Sequence, residues 1–169
     1  VAAPGNHDVV RMAEPQPAIP PEFTAKFPGN CTLVENPCLL NLQGVRILMY
    51  HGRSIDDMIG LIPGASYERP GEIMDEMLRR RLLAIPYGMR TPIAAMKTDR
   101  LIIDPLPEIL LTGHVHICGI TRYRGVLGLN AGTWQAQTAF QKQMNINPTP
   151  ARAFVVDLQT LQPEVMDFT

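Results

Sequence analysis

All four histidines of this 169-residue chain, His7, His51, His114 and His116, lie within three residues of a turn-forming glycine at the expected end of a short apolar run. Asn6, His7 and Asp8 follow Gly5; His51 precedes Gly52; His114 follows Gly113, with His116 two residues further on. Such a pattern asks for a fold whose strands end in loops able to share one site. Strands mixed with helices, and hairpins late in the chain, point to α/β layers rather than an all-β barrel.

The rest of the chain is read from periodicity and punctuation. Residues 1–4 are a buried strand end, and residues 8–13 allow one or two helical turns before Pro15, Pro17, Pro20 and Pro21 impose a rigid loop. Strands are expected at 33–35, 39–42 and 45–50, the last two joined by a tight turn at Gln43 and Gly44. Ser54 and Asp57 form a capping pair for a short helix that Pro63 and Gly64 end. A second helix is expected over 70–84, with Ile73, Met74, Met77, Leu78 and Leu82 on its core face and Arg79, Arg80 and Arg81 mostly off it. Residues 85–104 are loop; 109–112 is a buried strand; 117–123 and 126–130 are a hairpin; 153–158 and 164–168 are a closing strand pair.

Composition narrows the class. An apolar fraction of 46%, a charged fraction of 18% and a net charge of -1 describe a globular, soluble protein of about one domain. Near-neutral charge excludes a strongly basic nucleic-acid binder but not a nucleic-acid enzyme, where metals and a local basic rim can meet phosphate. Cys31, Cys38 and Cys118 are too few and too unevenly spaced for a disulfide framework or a four-ligand zinc site, so buried thiols in a reducing, cytoplasmic compartment are expected. No apolar run approaches the ~20 residues of a membrane span. With no leader and no initiator methionine, Val1 is not expected to be the biological N-terminus.

The histidines carry the chemistry. In an extended segment residues i and i+2 share a face, so His114 and His116 are expected to enter one site. Imidazole and amide donors suit borderline divalent metals such as Zn²⁺, Fe²⁺ and Mn²⁺. The visible donors, Asn6, His51, His114 and His116, are all neutral, whereas two cations ~3.5 to 4 Å apart call for a bridging anion. Asp8 adjoins His7 and is better placed to orient that ring than to bridge metals, so the bridging carboxylate and at least two further ligands are expected upstream of Val1.

Gly5-Asn6-His7-Asp8, His51-Gly52 and Gly113-His114-Val115-His116 resemble the third, fourth and fifth motifs of the calcineurin-like metallophosphoesterases. That resemblance implies Asn6, His51 and His114 on one metal, His116 on the other, and His7 as the catalytic histidine beside the scissile phosphate, with Asp8 supporting it. It also implies an α/β fold, a four-layer α/β/β/α sandwich, of which residues 1–169 would be the C-terminal portion of a single phosphoesterase domain. Longer stretches, Tyr50-His51-Gly52-Arg53-Ser54-Ile55-Asp56-Asp57, Tyr123-Arg124-Gly125-Val126, Gly132-Thr133-Trp134-Gln135 and Pro148-Thr149-Pro150-Ala151-Arg152, are similar to the small subunits of archaeal D-family DNA polymerases. The implied activity is a 3′–5′ proofreading exonuclease using two divalent cations, Mn²⁺ foremost, with Fe²⁺, Zn²⁺ or Ni²⁺ as the others. The implied partners are a single-stranded DNA 3′ end, with Arg53 as a candidate phosphate contact, and a large catalytic subunit. Two other functions fit the same motifs: a non-catalytic scaffold for the large subunit, and a general metallophosphatase. Trp134 could stack on a base but is equally placed for core or interface.

Overall fold

A computed structural model of the chain describes residues 1–169 except Pro86 and the side chain of Lys26. After a 3-10 helix at Pro21–Lys26 come β1 (Cys38–Leu42), β2 (Val45–Met49), α1 (Ile55–Leu61), α2 (Pro70–Arg80), β3 (Ile109–Thr112), β4 (Cys118–Tyr123), β5 (Val126–Ala131), α3 (Ala139–Gln143), β6 (Arg152–Asp157) and β7 (Gln162–Asp167). The fold is mixed α/β. One five-stranded sheet has the order β1-β2-β3-β5-β4, and β6 and β7 form a separate two-stranded sheet. β2, β3 and β5 are parallel, whereas β1 and β4 pair antiparallel at the edges.

Alternation along the central strands explains the layering. Leu110 and Val126 face one side with Leu48, packing against Ile55 and Met58 of α1 and Ile73, Met74, Met77 and Leu78 of α2. Ile109, Leu127 and Leu129 face the other side, where Phe154 and Val156 of β6 cover them. Each fully buried side chain of this size contributes roughly 1.5 to 3 kcal/mol, so both faces of β3 and β5 are committed to core. The result is helix, sheet and sheet in succession.

Glycines let α2 lie close on the sheet: an added Cβ at Gly119 would lie 2.7 Å from Pro70 Cγ, and one at Gly128 would lie 3.4 Å from Met74 Sδ and 2.5 Å from Thr121 Cγ2 of neighbouring β4. The β1–β2 turn is the expected one, with Gln43 (φ 51) and Gly44 (φ 91) both left-handed and Leu42 paired with Val45.

Several local expectations fail for identifiable reasons. α2 stops at Arg80 rather than 84, because Arg81 turns left-handed (φ 56) and the N–H groups of Arg81 and Leu82 bond back to Leu78 and Met77 carbonyls. Arg81 then reaches the Ile103 carbonyl (2.9 Å) and Asp104 (3.2 Å), while Arg79 and Arg80 pair with Glu76. The Ser54–Asp57 cap is not made: Ser54 Oγ donates to the Leu83 carbonyl, and buried Asp57 accepts the N–H groups of Arg90 (2.8 Å) and Thr91 (2.9 Å). Residues 8–13 form turns and bends rather than helix, and residues 1–4 make only an Ala2–Leu33 bridge. The three cysteines are free but half-buried rather than buried. The loop at 85–104 holds the bridge partners Ile93 and Ile102; Pro86, within it, lies outside the described residues. Trp134 is 70% exposed, against Phe168 at 5.7 Å between ring centroids, so it is not core. No helix among the described residues is long and apolar enough to cross a membrane.

Candidate functional site

In parallel sheets ligands gather beyond the carboxyl ends of the strands. β2 runs out into Tyr50 and His51, and β3 into Gly113 to His116. The ladder continues past both strand ends, with Tyr50 N–H donating to the Leu111 carbonyl (2.9 Å) and Gly113 N–H to the His51 carbonyl (3.1 Å). Gly52 (φ +100) makes that approach possible, since a Cβ there would stand 3.0 Å from the Gly113 carbonyl oxygen. Gly5 does something similar from the N-terminal loop. Its Cβ would fall 2.6 Å from His51 Cε1 and 2.8 Å from Nδ1, so the bare glycine seats the face of the imidazole.

Three donor atoms converge as a result. His51 Nε2 lies 2.7 Å from Asn6 Oδ1 and 3.2 Å from His114 Nδ1, with the two rings edge to face. His114 Nε2 is 3.0 Å from Asp56 Oδ2. If that nitrogen carries the proton, Nδ1 presents its lone pair toward His51 and Asn6. His116 and His7 line the same cavity of about 640 Å³, together with Asp56, Tyr67 and the segment from Gln135 to Ile146. The expected shared face of an extended segment is not how His114 and His116 arrive there. Both are left-handed (φ 70 and 63) on either side of the buried Val115, a backbone state costing roughly 1 to 2 kcal/mol per residue outside glycine. Strain of this kind collects at functional sites.

Burial sets the charge state. It pushes His51 down to about 3, helped by the neighbouring His114, so this ring is neutral at neutral pH. His116 is lowered for the same reasons, burial first and then His114. Burial works to raise Asp56, but its hydrogen bond with His114 and the charge there outweigh it and leave the carboxyl low. Neutral imidazoles offer lone pairs without competition from protons, which fits a borderline divalent cation. His116 Nδ1 is buried without a hydrogen-bond partner among the described residues, a nitrogen for which an ion or a bridging water would account. The donor set is nevertheless partial. Among the described residues no group of three or more His, Cys, Asp or Glu is disposed to hold a metal ion, and what converges is two imidazoles and one amide.

A buried polar chain, for which the sequence held no local signal, ties the loops together. Asn36 Oδ1 accepts the His51 N–H (2.7 Å), and its amide nitrogen donates to Gln16 Oε1 (2.8 Å). Gln16 Nε2 donates in turn to the carbonyls of Gly5 (3.2 Å) and Arg11 (3.0 Å). Behind it lies Glu14, fully buried, accepting from the Tyr50 hydroxyl at 2.7 Å and raised by that burial. The same Tyr50 hydroxyl accepts the Ser54 N–H (3.3 Å) at the entry to α1. The backbones carrying Asn6 and His51 are therefore linked by two side chains, Asn36 and Gln16.

Two expected residues sit differently. Asp8 Oδ2 accepts the Gly5 N–H at 2.7 Å and so holds the turn that presents Asn6 and exposed His7. Arg53 is half-buried with Nη1 unpartnered among the described residues; its charge is felt by Glu14 and His51, and it is not among the cavity's lining residues. Asp56, by contrast, had only one sequence signal, its place five residues after His51 at the start of a helix.

The model of the family of DNA polymerase alpha/epsilon B-subunits matches residues 1–117. The chain is 50% identical over 155 residues to the DNA polymerase II small subunit of Archaeoglobus fulgidus, covering 92% of this chain and 32% of that one. It is 52% identical over 159 residues to the small subunit of Methanocaldococcus jannaschii, covering 94% and 27%. It therefore spans only 27 to 32% of the length of these curated relatives. Looser likenesses link it to a solved archaeal phosphodiesterase (TM-score 0.37, 9% identity, 78% of this chain and 50% of that one). Vps29 of Entamoeba histolytica, solved with zinc, is similar to the same degree (TM-score 0.39, 17% identity, 79% and 61%), and at these scores neither likeness bears on function. With more than half of its length matched by the family model, the chain belongs to the DNA polymerase alpha/epsilon B-subunit family.

Proposed function

We propose that this chain carries the catalytic histidines of a metal-dependent phosphodiesterase. It would act on a single-stranded DNA 3′ end in the cytoplasm, as the 3′–5′ proofreading exonuclease of a replicative polymerase whose large catalytic subunit it joins. The observation that carries this reading is the meeting of Asn6 Oδ1, His51 Nε2 and His114 Nδ1 within 2.7 and 3.2 Å in a cavity shared with His116 and His7. Asn6, His51 and His114 would hold one divalent cation and His116 a second, with Mn²⁺ the first to test. Bound there, such cations supply charge neutralisation on the phosphoryl oxygens and a more acidic attacking water.

The chain's own groups do the rest. Asp56 keeps the His114 ring in one orientation. The turn closed by Asp8 presents His7 at the solvent side of the cavity, where a ring N–H can stabilise or protonate the departing 3′ oxygen, a role worth typically ~10²- to 10⁴-fold. His7→Ala is expected to abolish turnover while leaving metal occupancy largely intact.

A second reading, a scaffold without catalysis, is equally consistent with relatives named only as polymerase small subunits. The full-length protein with Mn²⁺, offered 5′-labelled single-stranded DNA and p-nitrophenyl phosphate, separates the alternatives. Stepwise shortening from the 3′ end supports the exonuclease, no hydrolysis supports the scaffold, and cleavage of the monoester alone supports a general phosphatase.

A further inference from the structure

One wall of the cavity comes from a segment with no role so far, residues 135–146. It is firmly built. Thr138 and Gln141 cap each other reciprocally, with Gln141 N–H to Thr138 Oγ1 at 3.2 Å and Thr138 N–H to Gln141 Oε1 at 2.9 Å. Ile146 N–H donates to the Gln141 carbonyl at 2.8 Å, the Ile146 carbonyl accepts Gln137 Nε2 at 2.8 Å, and Gln141 and Ile146 are each 6% exposed. On this tied-down turn Phe140 lines the cavity and yet remains 58% exposed. A ring left this open forgoes much of the stabilisation that burial would bring, and it does so on a tied-down support in the same cavity as the histidines.

A phosphate group alone gains nothing from an aromatic ring at the mouth of its site. A nucleotide does, because its base carries an apolar face joined to the phosphate the histidines would meet. Resting on the exonuclease reading above, we infer that Phe140 is the stacking platform for the base of the 3′-terminal nucleotide. Stacking on a single ring reads no base edge, so the platform accepts any of the four bases. It distinguishes a nucleic-acid end from a simple phosphate ester. Tyr67 is the other aromatic of the cavity, but its hydroxyl is tied to the Asp56 side of the site, where burial first and then the carboxylate push it up to about 12; Phe140 has no such engagement to give up.

The test pairs a variant with a modified substrate. Full-length wild type, Phe140→Ala and Phe140→Trp are assayed with Mn²⁺ on single-stranded DNA ending in an ordinary nucleotide or in an abasic residue. Phe140→Ala should raise KM for the ordinary end about 5- to 150-fold, the equivalent of about 1 to 3 kcal/mol, with kcat little changed and Phe140→Trp restoring it. Removing the terminal base should cost wild type a similar factor and cost Phe140→Ala nothing further. A KM for Phe140→Ala within twofold of wild type, or equal losses on both ends, overturns the inference while leaving the exonuclease standing. Retained KM with lost capture of the polymerase large subunit also overturns it, making the ring a protein contact. A wild type that leaves DNA intact removes the exonuclease reading and this inference together.

Discussion

Replacing Gly5 by alanine should disturb the site through a single steric contact. The new Cβ would lie 2.6 Å from His51 Cε1, 2.8 Å from Nδ1 and 3.0 Å from Nε2. Gly5 has no left-handed φ, so nothing in the backbone opposes the substitution and the clash with the ring is the whole effect. Bringing the nearest contact to an ordinary 3.4 Å requires a relative shift of 0.8 Å, the gap between 3.4 and 2.6. His51 cannot give way freely, because its N–H is held by Asn36 and its Nε2 sits 2.7 Å from Asn6 Oδ1. Overpacking of this size costs about 1 to 3 kcal/mol, a fall of roughly 2 to 10 °C in Tm for a domain of this length. In catalysis a misplacement near 1 Å can cost ~10²-fold, so hydrolysis by the full-length protein should fall by about that factor. The decisive comparison is a thermal-denaturation double-mutant cycle with His51→Ala. Once the ring is gone the added methyl has space, and Gly5→Ala should cost almost nothing in that background. Equal destabilisation with and without His51, or an unchanged Tm in the single variant, refutes the packing argument.

Other changes test the supports of the site. Asn36→Ala strands the His51 N–H and the Gln16 amide in a buried setting and should cost about 2 to 3 kcal/mol in urea denaturation. Asp56→Asn weakens the hold on the His114 ring; Mn²⁺ titration should show affinity down about 10- to 100-fold, with Tm of the metal-free protein little changed. Away from the site, hydrogen bonds from Arg46 hold Glu108 down at about 2 against an ordinary 4.5. Because the folded value is depressed, the stabilisation is present above pH 4.5 and lost as pH falls toward 2. Both side chains are partly solvated, so Glu108→Gln should cost no more than about 1 kcal/mol at neutral pH, with the gap in urea midpoints closing as acid is added. A gap that widens below pH 4 would contradict the pairing.

What local sequence could determine, it determined. Alternation placed β1 through β5 within a residue or two, the Gln43–Gly44 turn set the first hairpin, and helical spacing identified the buried stripe of α2. The four histidines and Asn6 could be singled out because each lies within three residues of a glycine, a feature written within a few residues. Contacts between residues far apart in the chain decided the rest. α2 ends at Arg81, rather than at a glycine or proline, because that side chain finds Ile103 and Asp104 across 22 and 23 residues. Asn36 and Gln16 join the Gly5 and His51 backbones, and Asp56 meets His114 across 58 residues. The left-handed turns at His114 and His116 are likewise sustained by their surroundings, since neither residue favours that backbone state alone. Periodicity reports which face of an element is apolar; it does not report which polar groups meet once the core has brought those elements together.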